Sequence, residues 1–424
     1  MKIKHIIYLL FFFAFLSCEP EIESFKPSAG DADFSSMIAV GNSLTAGFAD
    51  GELYRSAQLT SFPNIVAQQL QHVGGGEFNQ PLMKDDYGFG NRLVLKVVDG
   101  ELRPVPAEVP ENPENFVSIY DEEGPFHNLG VPGAKTSHLL APGYGVLNQY
   151  FGRFAKDVVS SSVLSDAMIV DPTFFILWIG NNDILSYAMS GGEGETITDI
   201  DSYSSLMNII LNELTSNGAK GAIANIPEVT AVPFFNTIPS TGLVLTAEEA
   251  AALNIAYEDV PHIEFQEGPN GFVVKDVNII GGIRQLKPEE LLLLSVPRES
   301  ILNEGLGSEI PIAQEDYLSE EQINNINNAV NLYNNFIENA ADNFDLALVD
   351  VYTLLKEAET GMYFDGINFT TQFITGGVFS LDGIHLTARG NAIVANQVID
   401  AINQKYNSSI PKVSVTDYQG IIFP

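Results

Sequence analysis

The amino-acid sequence predicts an α/β fold, a five-stranded parallel sheet between helical layers with one large insertion, and three observations predict it. Five short, largely apolar stretches recur along the chain, at 37–40, 126–129, 172–179, 219–226 and 346–351, and unbroken runs such as 37–40 and 174–179 suit strands buried on both faces. Amphipathic segments at helical spacing separate them, the alternation that parallel sheets require. Gly, Asn or Pro closes several of the runs, so the chain turns there and the polar residues that follow gather at one edge of the sheet.

The chain opens with Lys2 and Lys4 before an apolar run over 6–16, closed by Ser17 and Cys18. That run is too short to span a bilayer, which takes about 20 residues, and suits the hydrophobic region of an export signal. Cys18 is the only cysteine, which excludes an internal disulfide and CxxC chemistry. Its position resembles the end of a bacterial lipoprotein signal, in which the cysteine becomes the acylated first residue of the mature chain. The expectation is a signal peptide over 1–17, lipidation at Cys18 and anchorage in the bacterial cell envelope, at the outer membrane. The other reading is a plain secretory signal with an incidental cysteine. Residues 18–33 are polar and hold Pro, Gly and Asp, and so read as a tether.

The 20 basic residues face 54 acidic ones, a formal charge of −34; losing residues 1–17 removes two lysines and no acid, giving −36. Such a surface repels polyanions, so no nucleic acid is expected as a partner. No EF-hand loop, HExxH or Cys/His cluster at ligand spacing occurs in the sequence, so no metal and no cofactor is expected. Apolar residues at 45% with 10% aromatic describe a globular chain, long enough for one elaborated domain or two.

In order, the first run, 37–40, leads into Gly41-Asn42-Ser43, a strand that delivers Ser43 to the sheet edge. The spacing predicts a helix over 60–73, stopped by Gly74. Residues 77–124 read as a long excursion with one hairpin at Asp99-Gly100. The second run passes into Gly130-Val131-Pro132-Gly133, and residues 146–168 read as helix. The third run ends in Gly180-Asn181-Asn182-Asp183, and a helix over 200–215 precedes the fourth. From 228 to 318 the rhythm breaks, with an Ala/Glu-rich helix at 246–254 and a Gly-Pro-Asn-Gly turn at 268–271, which predicts an inserted subdomain or lid. Its Leu and Phe residues would line an acyl pocket or form a small core of their own. A helix over 319–341, the fifth run and a last helix over 387–406 restore the pattern. The sheet-bearing body is thus 34–227 with 319–424.

Cleaving an ester takes a nucleophile, a base and donors for the oxyanion. Ser43 follows a strand end. His385 has Asp382 three residues before it, so Asp382 could hold Nδ1 while Nε2 faces the serine. A loop hydrogen bond at a helix start is the structural alternative for that pair, and His138 is the rival base. Ser43 N–H, Gly133 N–H and the Asn182 side chain are the candidate oxyanion donors, although a turn glycine and an Asx-turn would explain the latter two. No GxSxG elbow occurs, which excludes an α/β-hydrolase assignment on its own motif.

Gly41-Asn42-Ser43-Leu44, Gly133, Gly180-x-Asn182-Asp183 and Asp382-x-x-His385 resemble, in order and context, the four sequence blocks of the SGNH or GDSL-type hydrolases. The resemblance implies a flavodoxin-like three-layer α/β/α sandwich. It implies ester hydrolysis without metal or cofactor, with Ser43 as nucleophile, His385 as base, Asp382 orienting it, and Ser43, Gly133 and Asn182 as oxyanion hole. The family's first block usually carries Asp before the serine, where this chain has Asn42. Asp183 is expected to brace its loop. The expected substrate is a lipid, an acylated glycan or a small ester; acyl transfer at the same site, or a silent surface-binding lipoprotein, are the competing readings.

Overall fold

The computed structural model describes residues 26–108 and 113–424; the expected export signal over 1–17 and Cys18 lie outside the described residues. In chain order, the elements that frame the site are β1 (Met37–Gly41), α1 (Ser43–Ala46), α2 (Phe62–Leu70), β2 (Leu93–Val98), β3 (Glu101–Pro106), β4 (Asn128–Gly130), β5 (Phe174–Trp178), α3 (Asn181–Met189), α4 (Ile200–Leu214), β6 (Lys220–Ala224), α5 (Glu320–Asn343), β7 (Ala347–Val349), α6 (Val351–Thr360) and α7 (Ala388–Tyr406). Five of the strands form one parallel sheet in the order β7-β6-β5-β1-β4. Counted among parallel strands this is 2-1-3-4-5, so the chain reverses its direction of winding beside β1, and ligands of open α/β sheets bind at such a point.

The sheet is apolar through its thickness because helices cover both faces. β1 and β5 are buried along their whole length. On one face α2 packs on α7, with Phe62 edge-on to Trp178 and Tyr406 edge-on to Phe174. α3, α4 and α5 pack together as a second group, where the Tyr203 and Tyr333 rings stack at 3.7 Å. Residues 26–33 lie against the end of α7, with Asp31 N–H donating to Tyr406 O at 2.7 Å. Among the described residues no helix is long and apolar enough to cross a membrane.

The excursion holds the expected hairpin, β2 and β3 closing at Asp99-Gly100. The helix expected over 146–168 is instead three short ones, Tyr144–Leu147, Gln149–Phe154 and Val163–Ala167. Asn148 restarts the helix by accepting from the N–H groups of Tyr150 and Phe151, and Asp157 makes a turn by accepting from Val159 and Ser160; both residues compete with a continuing helix for backbone donors. The turn expected at 268–271 is a strand, Gly268–Asn270, paired with Leu243–Leu245. The Asn270 side chain, bonded to Gln266 and Gly268, supplies the fixing that a turn residue provides locally.

Residues 228–318 carry further two-stranded pairings and two small cores of their own, one around Phe272, Ile312 and Tyr317 and one around Leu253 and Phe265. Arg284 is held there by Asp276 at 2.7 Å and by both oxygens of Glu290 at 2.5 and 2.8 Å. The segment abuts the Asp382 loop, with Phe234 N–H donating to Gly383 O at 3.0 Å.

Candidate active site

The nucleophile candidate stands at the first residue of α1, directly beyond β1. Asn42 caps that helix, its Oδ1 accepting from Leu44 N–H at 3.0 Å, while its Nδ2 donates to Asn181 Oδ1 at 3.1 Å. Asn42 therefore has a use that a carboxylate could not fill, since it supplies a donor toward the Asn182 loop. The helix lies so close to β4 that a Cβ on Gly130 would sit 2.2 Å from Ala46 N. Asn128 ties the same contact by donating to Thr45 O at 3.0 Å.

Ser43 is 8% exposed, and its Oγ lies 2.8 Å from His385 Nε2. His385 Nδ1 lies 2.9 Å from Asp382 Oδ2. Three groups that are 342 and 3 residues apart in sequence thus form one hydrogen-bonded chain. The loop carrying the acid and the histidine does not directly follow a strand of the sheet: α6 and a small hairpin, Met362–Phe364 with Ile367–Phe369, intervene.

Asp382 collects donors on both oxygens. Oδ2 also accepts from Gly51 N–H at 2.9 Å, and Oδ1 accepts from Ile384 N–H at 2.9 Å, His385 N–H at 2.8 Å and Ser380 Oγ at 3.1 Å. Burial opposes the charge, but the His385 ring and these donors outweigh it and hold the carboxyl well below the usual range. The turn around Asp50 completes the clamp: Asp50 Oδ1 accepts from Leu381 N–H at 3.0 Å, and its N–H donates to Ser380 Oγ at 2.9 Å. Sequence reasoning missed this clamp, which joins ordinary residues about 330 positions apart.

Asn182 Nδ2 donates to Ala134 O at 2.9 Å, which fixes the amide beside the Gly133 loop. Its second N–H remains for a ligand, and Asn182 lines the same cavity as Ser43 and His385. Gly133 has φ +79°, open space where a Cβ would stand, and a place one residue before Ala134. Asp183 is fully buried and joins the two loops, its Oδ2 accepting from Thr136 N–H at 2.8 Å and Thr136 Oγ1 at 2.9 Å. Burial pushes its carboxyl up against the pull of those bonds. His138 is occupied elsewhere: Nδ1 accepts from Lys135 N–H at 3.1 Å and the ring stacks on Tyr144.

A serine held by an acid-oriented histidine, at the switch point of a 2-1-3-4-5 sheet, defines the class as α/β proteins equipped for acyl chemistry. The chain belongs to the GDSL-like lipase/acylhydrolase family, whose family model matches residues 37–398, and ester hydrolysis is that family's chemistry. Among solved structures it is similar to the lipase/acylhydrolase from Enterococcus faecalis, at 11% identity over 89% of this chain and 98% of that one, with a TM-score of 0.35. It is also similar to a catalytic mutant of an acetylxylan esterase from Geobacillus stearothermophilus, at 12% identity over 89% and 96%, with a TM-score of 0.37. No curated protein matches the chain.

Proposed function

We propose that this protein is a lipid-anchored serine esterase of the bacterial envelope that cleaves carboxylic esters through an acyl-enzyme. The single observation that carries the reading is the continuous contact from Ser43 Oγ to His385 Nε2 and from Nδ1 to Asp382, at 2.8 and 2.9 Å. His385 takes the Ser43 proton as Oγ attacks the ester carbon, and Asp382 keeps the ring in the tautomer that leaves Nε2 free to accept it. The negative charge that develops on the carbonyl oxygen meets Ser43 N–H, Gly133 N–H and the spare N–H of Asn182. His385 then returns the proton to the departing alcohol, and a water molecule repeats the sequence to release the acid. Cys18 would hold the enzyme to the outer membrane by its acyl chains, which anchor firmly when more than one is present.

The test is product analysis on simple esters with and without an alcohol acceptor. The reading expects free acid as the main product and its loss in Ser43→Ala. Transfer to the acceptor in place of water would make the enzyme an acyltransferase, and no turnover of any ester would leave a binding lipoprotein.

A further inference from the structure

We infer that the site takes esters of a short apolar acyl chain, butanoyl to pentanoyl in length, which lodges in a cavity inside the sheet-and-helix body; this deepens the esterase reading and rests on it. The cavity opens at Ser43, Asn182 and His385 and continues between α6 and α7. Leu355, Ala358, Met362, Val378, Ile393 and Val394 line it, and every one of these six is otherwise buried. Its polar lining residues are Ser43, His385 and the asparagines clustered around Ser43.

Protein interiors leave few voids larger than a water molecule, so an apolar space that ends on a nucleophile calls for an occupant. A sugar ring there would leave its hydroxyls without partners, at a cost that excludes it. An acyl chain has no such groups to leave unpartnered. The cavity volume is about 90 Å³. At about 25–30 Å³ for each methylene-sized group, the share a water takes in the liquid and the packing of benzene in a cavity of about 150 Å³, that admits roughly three to four such groups, so an acetyl methyl would fill only the entrance. The inserted segment contributes little, since only Val229 and Val232 at its root reach the cavity. Chain-length selection thus resides in α6, the hairpin after it and α7, and the insert's Leu and Phe residues pack in its own two cores or, as Phe234, Phe235 and Leu293 do, in the main core.

The experiment measures kcat/KM of the full protein on p-nitrophenyl esters from acetate to palmitate, at monomeric ester concentrations. Burial of each methylene is worth up to about fourfold, so the expected profile rises from acetate, peaks at butyrate or pentanoate, falls beyond hexanoate, and puts butyrate at least about fivefold above acetate. Ala358→Leu and Val394→Phe fill the cavity and should lower the butyrate-to-acetate ratio at least about fivefold; Met362→Ala should move the peak toward longer chains. Where a variant fails to fold, the wild-type profile alone decides. A flat profile, or one highest at acetate or at octanoate and beyond, overturns the inference and leaves the esterase reading standing. No turnover of any ester, with no labelling of Ser43 by a serine-reactive phosphonate, overturns both.

Discussion

Replacing Asp382 with Asn keeps the shape of the side chain and removes its charge, and the structure predicts where the damage falls. The carboxylate accepts three donors on Oδ1, from Ile384, His385 and Ser380, and two on Oδ2, from Gly51 and His385 Nδ1. An amide has one oxygen, and the three-donor position claims it. The amide NH₂ then faces Gly51 N–H and His385 Nδ1, so Nδ1 must accept and the ring's proton moves to Nε2, toward Ser43. In that tautomer the histidine cannot take the serine proton. The expected loss is about 10⁴-fold in kcat, or ~5.5 kcal/mol at about 1.36 kcal/mol per decade. Opposing two N–H groups at Gly51 should cost about 1–3 kcal/mol of stability as well. The assay is ester hydrolysis by purified Asp382→Asn protein, beside a thermal melt that establishes folding. A folded variant within tenfold of wild type would refute the argument that Asp382 sets the tautomer.

The same reasoning extends to other positions. Asn182→Ala should lower kcat by about 10²–10³-fold, the usual loss for one oxyanion donor, with KM nearly unchanged in steady-state kinetics. Gly130→Ala puts a methyl 2.2 Å from the Ala46 nitrogen, where only backbone can yield; the unfolding free energy from a denaturant titration should fall by about 1–3 kcal/mol, and displacement of α1 should cut activity about 10²-fold. His127 and His138 are both pushed down by burial, and the Nδ1 of each accepts a backbone N–H, from Asn79 and Lys135, at 3.1 Å. The unfolded chain therefore takes up protons first as pH falls below about 6.5, and stability is lost over that window. Asp50, Asp166 and Asp183, pushed up by burial, act in the opposite direction at lower pH. The clean readout is thus a difference: the melting temperature of His127→Asn/His138→Asn should rise relative to wild type between pH 7.5 and 5.5, and a constant gap would contradict the argument.

The strands were legible because a parallel sheet covered on both faces demands unbroken apolar runs such as 174–179, and no polar pattern obscures them. The site segments were legible for a local reason too: Gly-Asn-Ser, Gly-x-Asn-Asp and Asp-x-x-His each carry their chemistry within four residues. What joins those segments was not. The Asn42 to Asn181 amide pair and the Asp50 clamp on the Asp382 loop are hydrogen bonds between residues 139 and 331 positions apart, and each partner alone looks like an ordinary turn residue. The 146–168 region misled because its apolar spacing is helical while Asn148 and Asp157 redirect the backbone. The cavity between α6 and α7 was hidden since Leu355, Val378 and Val394 read as core in sequence, and a void among core residues leaves no mark on composition.

The most direct measurement of the central claim is the intact mass of the purified protein after incubation with a serine-reactive fluorophosphonate, with Ser43→Ala beside it. The account predicts one adduct on the wild type and none on the variant, because only the hydroxyl held at 2.8 Å from His385 is activated. An adduct that persists in Ser43→Ala, or a wild-type protein that never reacts, would contradict it.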